Sequence, residues 1–333
     1  MKKIYYDQDT NLKILTGKTV AVFGYGSQGS AQAQNMRDSG VLVILGLRKD
    51  GSSWKQAKED GFEVFDFKEA AKKADILHFL LPDERHLEVY DEIKEFITPG
   101  KTIVCSHGFN FHFKVINPPK GVDVIMVAPK APGPTVRREY VNGFGVPALI
   151  AVFKNTSGYA KETALALSKA NGHTRVGVFE TTFQFETETD LFGEQTVLCG
   201  GVVELMRLGF ETLVENGYPP EIAYFECVHE MKLIVDLIYK GGMFGMYSKV
   251  SNTAKYGGLT IGPKIIPPQT KKVMQKVLNK IKTGQFKKEW IDKEFKKDKL
   301  KNLNEMLDNV SKWQVEKVGK KIRQFAGLQL KEG

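Results

Sequence analysis

The chain has 333 residues, a net charge of +9 and a hydrophobic content of 42%. This length suffices for two domains and a large core, and the composition is typical of a soluble globular protein. No apolar run reaches the length of a membrane span, and the first residues carry no hydrophobic signal segment. We therefore expect a cytoplasmic protein with no membrane partner.

The positive charge lies at one end of the chain. Residues 271–333 hold 18 Lys or Arg and 8 Asp or Glu, a net of +10, so the other 270 residues have a net charge of −1. Acidic residues interrupt the lysine runs, as on a solvated helix face, and no nucleic-acid-binding motif accompanies them. The pattern predicts no nucleic-acid partner.

The three cysteines, Cys105, Cys199 and Cys227, form no CxxC pair and lie in apolar contexts. We expect reduced thiols in a core, as in cytoplasmic proteins.

A glycine-rich segment near the start of the chain has the pattern of a dinucleotide-binding loop. A strand is predicted over 18–23, a helix over 30–39 and a second strand over 41–45. Between the first strand and the helix lie Gly24, Tyr25, Gly26, Ser27, Gln28 and Gly29. Glycines in such a loop permit a tight turn and let backbone N–H groups approach a pyrophosphate at the helix N-terminus. The alternative is a turn with only a structural role.

Strands and helices continue to alternate up to residue 179. Further strands are predicted over 74–81, 101–105, 122–127, 146–153 and 176–179. In a doubly wound sheet, the loops at the carboxyl ends of the strands face the ligand crevice. The pattern places His107 and Lys130 in such loops, and we add Pro82, Asp83 and Gly133 to the predicted cofactor-binding residues.

After residue 179 the pattern becomes helical, with glycines between the helices. We therefore predict an α/β fold with a Rossmann-type doubly wound domain over 1–181, an all-α domain over 182–328 and a tail over 329–333.

Two acidic pairs stand out in the helical part. Asp190 and Glu194 are four residues apart, and so are Glu226 and Glu230. This spacing places each pair on one helix face. Both helices are apolar on most sides, so we expect them in a core, where a hard divalent cation such as Mg²⁺ or Mn²⁺ would relieve the repulsion between carboxylates. The alternative is a solvated helix edge, and the spacing alone does not show that the two pairs meet.

Taken together, several stretches resemble those of ketol-acid reductoisomerases of the short class I form, over essentially the whole chain. They are residues 24–29 (GYGSQG), 106–110 (SHGFN), 127–130 (VAPK), 186–195 (ETETDLFGEQ), 224–230 (YFECVHE) and 251–254 (SNTA). One departure is Ala131, which stands where the family usually has glycine.

The resemblance implies a reaction. An acetohydroxy acid, 2-acetolactate or 2-aceto-2-hydroxybutyrate, would undergo an alkyl shift and then reduction by NADPH, in valine and isoleucine biosynthesis. Two Mg²⁺ ions would serve as Lewis acids.

The resemblance also implies site residues. Asp190 would bridge both metal ions, Glu194 would bind one, and Glu226 and Glu230 would serve the second. Ser251 would bind the substrate carboxylate. On its own, Ser251 would be expected to cap a helix.

Two loop residues complete the implied catalytic set. Lys130 would support the metal cluster, and His107 would lie near the nicotinamide, with a direct role in proton transfer left open. The family further implies a homodimer with interlocked, knotted helical domains and shared active sites, with a higher oligomer of dimers as an alternative.

The loop after the second strand predicts the cofactor. Arg48 suits a 2′-phosphate, and Lys49, Ser52 and Ser53 can add charge or hydroxyl donors. Asp50 opposes a phosphate and can accept from a free ribose hydroxyl. We predict that NADPH is preferred and NADH is tolerated.

Two other functions compete with this prediction. A plain hydroxyacid dehydrogenase would share the layout but need no metal, and a non-enzymatic NADP-binding redox sensor would not need four buried carboxylates. Activity on acetolactate with and without a chelator separates all three.

Overall fold

A computed structural model describes residues 3–49, 51–325 and 327. The predicted tail over 329–333 and Asp50 lie outside the described residues. The chain divides into two compact units, which meet in sequence between Thr189 and Asp190.

The first unit is built on a sheet of nine strands among the described residues. The strands are β1 Ile4–Tyr5, β2 Thr19–Phe23, β3 Leu42–Gly46, β4 Glu63–Phe65, β5 Ile76–Phe79, β6 Thr102–Cys105, β7 Asp123–Pro129, β8 Ala148–Lys154 and β9 Val178–Glu180. Their spatial order is β1-β9-β8-β7-β6-β5-β2-β3-β4. β7 pairs antiparallel with β8, and β1 with β9, while the other neighbours are parallel.

Helices cover both faces of this sheet. They are α1 Ser27–Asp38, α2 Ser52–Glu59, α3 Phe67–Lys73, α4 Asp83–Ile93, α5 Phe109–His112, α6 Gly133–Val141 and α7 Ala160–Ala170, with 3₁₀ turns at Asp7–Asp9, Leu12–Leu15, Lys94–Phe96 and His173–Arg175. Residues of β2 alternate between the two layers: Val20 and Val22 pack toward α1 and α7, and Ala21 and Phe23 toward α3 and α4. Burial on both faces explains why the central strands are continuous apolar runs.

Several elements of this unit have no counterpart among the predicted ones. β1 and β4 are edge strands of two and three residues, and α2, α3 and α6 are short helices next to loops. Such short segments carry too few residues for a clear periodic pattern.

The second unit is helical. Its elements are α8 Phe183–Gly193, which begins in the first unit, α9 Gly201–Glu215, α10 Pro220–Tyr224, α11 Met231–Lys249, α12 Asn252–Ile265, α13 Thr270–Lys282, α14 Gln285–Lys287, α15 Lys301–Lys312 and α16 Gln314–Phe325. In the part of this unit that the structure describes, three π-helical segments lie between them, at Glu194–Leu198, Phe225–His229 and Lys288–Phe295. The predicted fold class, a Rossmann-type unit followed by an all-helical unit, is confirmed.

The expectation that the acidic helices lie in a core is wrong for the chain as described. Within the second unit, Phe210, Ala223, Tyr224, Val315 and Ile322 form a small buried cluster. In contrast, large apolar side chains of α9, α11 and α12 are exposed, among them Leu208, Leu233, Tyr239, Phe244 and Leu259. One chain does not supply enough partners to cover helices that are apolar on several sides.

The three cysteines also differ in how deeply they are buried. Cys105 is buried as expected, Cys227 is partly buried and Cys199 is exposed, so the expectation of a core thiol is wrong at Cys199. Among the described residues, no helix is long and apolar enough to cross a membrane.

Candidate active site

The glycine-rich loop joins β2 to α1 and requires glycine at two positions. Gly24 has a φ of +98°, which side chains rarely adopt. A Cβ atom on Gly29 would lie 2.1 Å from the Gly24 carbonyl oxygen. The loop therefore holds the backbone close to the start of α1, where N–H groups can bind an anion.

A cavity of about 400 Å³ opens beside this loop. Among the predicted cofactor residues, its lining includes Gly24, Tyr25, Gly26, Arg48, Ser52, Ser53 and Pro82. Lys49 is exposed and is not part of this lining. Arg85 and Glu88 also line this cavity, and their Nη1 and Oε2 atoms form an ion pair at 2.9 Å. Neither residue was predicted from the sequence.

Three other predicted residues lie on the other side of the loop. Ser27 and Gly133 line a second cavity of about 380 Å³. The backbones approach so closely there that a Cβ atom on Gly133 would lie 1.9 Å from the Ser27 carbonyl oxygen. Gln28 donates through Nε2 to the Ala131 carbonyl oxygen at 2.9 Å. This contact uses the backbone, so the departure from glycine at Ala131 leaves it intact.

His107 and Asp83 form a close pair. Nδ1 of His107 lies 2.5 Å from Oδ2 of Asp83, and Asn110 donates to the Asp83 carbonyl oxygen at 2.9 Å. Burial would raise the pKa of Asp83, but the adjacent His107 holds that pKa below its usual value. Asp83, predicted as a cofactor residue, thus has a direct contact with the predicted catalytic histidine.

Lys130 is held by a carboxylate that the sequence analysis did not assign. Oε1 of Glu186 accepts from Lys130 Nζ at 2.9 Å, and its Oε2 accepts from the Gly108 N–H at 3.3 Å. Glu186 is only 1% exposed. The four-residue spacing that links Asp190 to Glu194 extends back to Glu186, and that spacing could have identified it.

The four predicted metal ligands lie where helical geometry changes. Asp190 is near the end of α8, and Glu194 begins the first π-helical segment. Glu226 lies in the second π-helical segment and Glu230 follows it directly. π-helical turns are rare and occur often at functional sites. Asp190 is partly exposed and the other three are exposed.

The four carboxylates do not converge within one chain. In the described parts of the chain, no three His, Cys, Asp or Glu side chains form a group that could hold a metal ion. Their chemistry nevertheless fits Mg²⁺, because carboxylate oxygens are its preferred protein ligands.

Ser251 is the N-cap of α12, and its Oγ accepts from the Ala254 N–H at 3.1 Å. The capping role considered from sequence is therefore present, and a substrate role stays a prediction.

Comparisons with known proteins cover both units. A family model described as acetohydroxy acid isomeroreductase, NADPH-binding domain, matches residues 14–177, and one described as ketol-acid reductoisomerase, C-terminal domain, matches residues 183–327. A ketol-acid reductoisomerase (NADP(+)) of Pyrococcus abyssi is 56% identical over 328 residues, 98% of this chain and 98% of that protein. One of Methanocaldococcus jannaschii is 52% identical over 331 residues, 99% of each. A solved structure described as an NADH-preferring ketol-acid reductoisomerase from an uncultured archean is 51% identical, with a TM-score of 0.94 over 97% of this chain and 98% of that chain. The chain belongs to the ketol-acid reductoisomerase family.

Proposed function

We propose that this protein is a ketol-acid reductoisomerase of branched-chain amino-acid biosynthesis. Its substrates would be 2-acetolactate and 2-aceto-2-hydroxybutyrate, converted by alkyl migration and hydride transfer to 2,3-dihydroxy acids in the cytoplasm. The observation that carries the proposal is that one chain joins a dinucleotide cavity to two carboxylate pairs, within a family whose relatives bear this name.

The cofactor would lie along the glycine-rich loop. The start of α1 would bind the pyrophosphate, and Arg48 with Ser52 and Ser53 would face the adenosine ribose in the cavity. Arg48 is a suitable partner for a 2′-phosphate, which supports NADPH as the cofactor. The similarity to an NADH-preferring relative supports the use of NADH as well.

The metal site would use oxygen ligands alone. Asp190 and Glu194 would hold one part of a two-Mg²⁺ centre, and Glu226 and Glu230 the other part. When bound, Mg²⁺ would supply Lewis-acid stabilisation of negative charge on substrate oxygens.

The chain's own residues would position the substrate and cofactor. Lys130, fixed by Glu186, would place a positive charge beside the anionic substrate and ligands. His107, oriented through Nδ1 by Asp83, would present its other edge toward the reacting groups, near the nicotinamide. Ser251 would donate a hydrogen bond to the substrate carboxylate.

The active site would be shared between two chains of a homodimer, with interlocked, knotted helical domains. Two observations support this assembly: the four carboxylates do not converge in the described chain, and apolar side chains of α9, α11 and α12 are exposed. Exposed apolar patches of this kind are typical of interfaces between subunits. A higher oligomer of dimers is compatible with the same surface.

Complementation tests the shared site. Asp190→Asn and Glu226→Gln chains are each expected to be inactive, but heterodimers of the two should regain one complete site. Purified heterodimers, isolated with two different tags, that show no activity would contradict shared sites. Heterodimers of Asp190→Asn with Glu194→Gln serve as the control and should stay inactive, since both changes affect the same half-site.

Turnover of acetolactate tests the function itself. We expect NADPH oxidation that depends on acetolactate and Mg²⁺ and that is abolished by a chelator. Dinucleotide binding without turnover would favour a redox sensor, and activity on simple 2-hydroxy acids that resists the chelator would favour a dehydrogenase.

A further inference from the structure

Tyr25 of the glycine-rich loop is hydrogen-bonded to the C-terminal end of helix α2. The Tyr25 hydroxyl donates to Oδ2 of Asp60 at 2.6 Å, and the Tyr25 ring meets the Phe62 ring edge-on at 5.7 Å. Burial and the neighbouring carboxylate raise the pKa of Tyr25, so its hydroxyl keeps the proton that it donates. Asp60 is the C-cap residue that directly follows α2.

Helix α1 strengthens this connection. Gln34 donates to the Tyr25 hydroxyl at 3.2 Å, and Arg37 donates to the Asp60 carbonyl oxygen at 2.5 Å. The Arg37 guanidinium also lies 4.4 Å from the centre of the Phe62 ring. A carboxylate at the C-terminus of a helix is unfavourable by itself, because the helix dipole is negative there. The partners from α1 and the loop therefore stabilise Asp60 in this position.

The end of α2 has little freedom to adjust by itself. The Phe62 N–H binds the Ala57 carbonyl oxygen at 3.1 Å, and the Gly61 N–H binds the Lys58 carbonyl oxygen at 3.0 Å. Together with the positive φ of Gly61, these bonds form a Schellman motif. A shift of Asp60 and Phe62 would therefore move the whole helix.

The other end of α2 forms part of the wall of the cavity that would hold the adenosine ribose. Gly51, Ser52 and Ser53 line that wall beside Arg48. Helix α2 has eight residues and is therefore about 12 Å long. A tilt of about 5° about its C-terminal end would displace its N-terminal end by about 1 Å. A tilt of α2 allowed by loss of the contact at Asp60 would therefore change the spacing between the start of α1 and the start of α2.

We propose that the Tyr25–Asp60 hydrogen bond fixes the distance between the pyrophosphate site and the 2′-phosphate site, which makes Tyr25 a positioning residue for cofactor choice. The inference rests on the proposed use of a nicotinamide dinucleotide. NADPH carries anionic groups at both sites, and NADH carries them only at the pyrophosphate. Loosening the connection should therefore weaken NADPH binding more than NADH binding.

Tyr25→Phe tests this inference, because the change keeps the ring against Phe62 and removes only the hydroxyl. Cofactor fluorescence titrations of the full-length protein give Kd for each dinucleotide without the need for turnover. We expect the Kd of NADPH to rise about tenfold and that of NADH to change less than about twofold. Amide hydrogen exchange in residues 52–59 should become faster.

Tyr140→Phe is the matched control. The Tyr140 hydroxyl lies 2.7 Å from Ser39 Oγ, so this variant also loses a phenol hydrogen bond next to α1, but not one to α2. Both Kd values should stay within about twofold of the wild-type values.

The outcomes separate the inference from the proposed function. An unchanged ratio of the two Kd values in Tyr25→Phe, with wild-type protein that binds both cofactors, overturns the inference alone. Wild-type protein that binds neither dinucleotide overturns the proposed function and this inference together. If Tyr25→Phe does not fold, Asp60→Ala, which removes the acceptor of this hydrogen bond, must show the same change in ratio, and an unchanged ratio there overturns the inference.

Discussion

Replacing Glu186 with glutamine should destabilise the protein and disturb Lys130. The Glu186 carboxylate is buried and accepts from both Lys130 Nζ and the Gly108 N–H. Gln has nearly the same shape but no charge, and only one of its two terminal atoms can accept a hydrogen bond. One of the two donors consequently loses its acceptor.

The magnitude follows from the exposure of the two partners. Breaking a fully buried ion pair by removing one member costs about 3–5 kcal/mol. The Lys130 side chain is 34% exposed, so water recovers part of its solvation. We expect the free energy of unfolding to fall by about 2 kcal/mol.

Urea unfolding of the full-length protein measures this loss, with Glu59→Gln as the control. Glu59 pairs with Lys55 at 3.6 Å on the surface, and its side chain is 55% exposed. The control should change stability by less than about 0.5 kcal/mol. The double variant Glu186→Gln, Lys130→Met completes a mutant cycle and should show a coupling of about 1 kcal/mol or more.

The single variant Glu186→Gln should also lower kcat while leaving the Kd of NADPH unchanged, because Lys130 is displaced and the cofactor cavity is not. A stability loss below about 0.5 kcal/mol, or strictly additive effects in the cycle, would refute the view that the Glu186 carboxylate holds Lys130.

Three further predictions concern metal, pH and cofactor. Asp190→Asn should lose Mg²⁺ affinity in calorimetric titrations of the apoprotein, and wild-type affinity in this variant would rule out the two-metal site. Burial lowers the pKa of His78 to about 3 and that of His173 to about 4, so both stay neutral in the folded protein where the unfolded chain takes up protons. Above about pH 6.5 these histidines are neutral in the folded and the unfolded chain alike, so the stability of the protein is fully present. As pH falls toward 4, only the unfolded chain takes up these protons, and each histidine should lower the free energy of unfolding by about 1.4 kcal/mol per pH unit. The His78→Leu variant should show a smaller slope in urea unfolding at several pH values. Asp50→Ser should raise kcat/KM for NADPH relative to NADH, and a shift toward NADH would show that Asp50 does not face the 2′ position.

The sequence predicted the central sheet well because those strands are buried on both sides. Val20–Phe23 and the strands beside it are continuous apolar runs between turn signals, which few other structures produce. The same logic placed His107 and Lys130 at strand ends. It could not place Asp83 against His107, since the start of α4 and the loop after β6 come together only through the sheet order.

The π-helical segments were not predictable from residue spacing. The Cys199 N–H binds the Glu194 carbonyl oxygen, and the Glu230 N–H binds that of Phe225, each across five residues. An inserted residue of this kind rotates the following helix face relative to the preceding one, and packing rather than local preference stabilises it. The i,i+4 spacing of the acidic pairs therefore does not fix the direction in which their side chains point.

In the second unit, the apolar pattern of a helix predicts which side chains are buried within one chain only where the helix is amphipathic. α13 and α16 are amphipathic, and their apolar residues Ile281, Val315 and Ile322 are buried within this chain. α9 and α11 are apolar on several sides, and one chain leaves much of their surface exposed. A helix that is apolar on all sides is expected to be buried against other protein surface. The sequence does not say whether that surface belongs to the same chain or to another molecule. The predicted metal ligands lie in α8 and in or directly after the π-helical segments that precede α9 and α11. The question of what covers these helices and the question of what completes the metal site therefore have one proposed answer, a second copy of the chain.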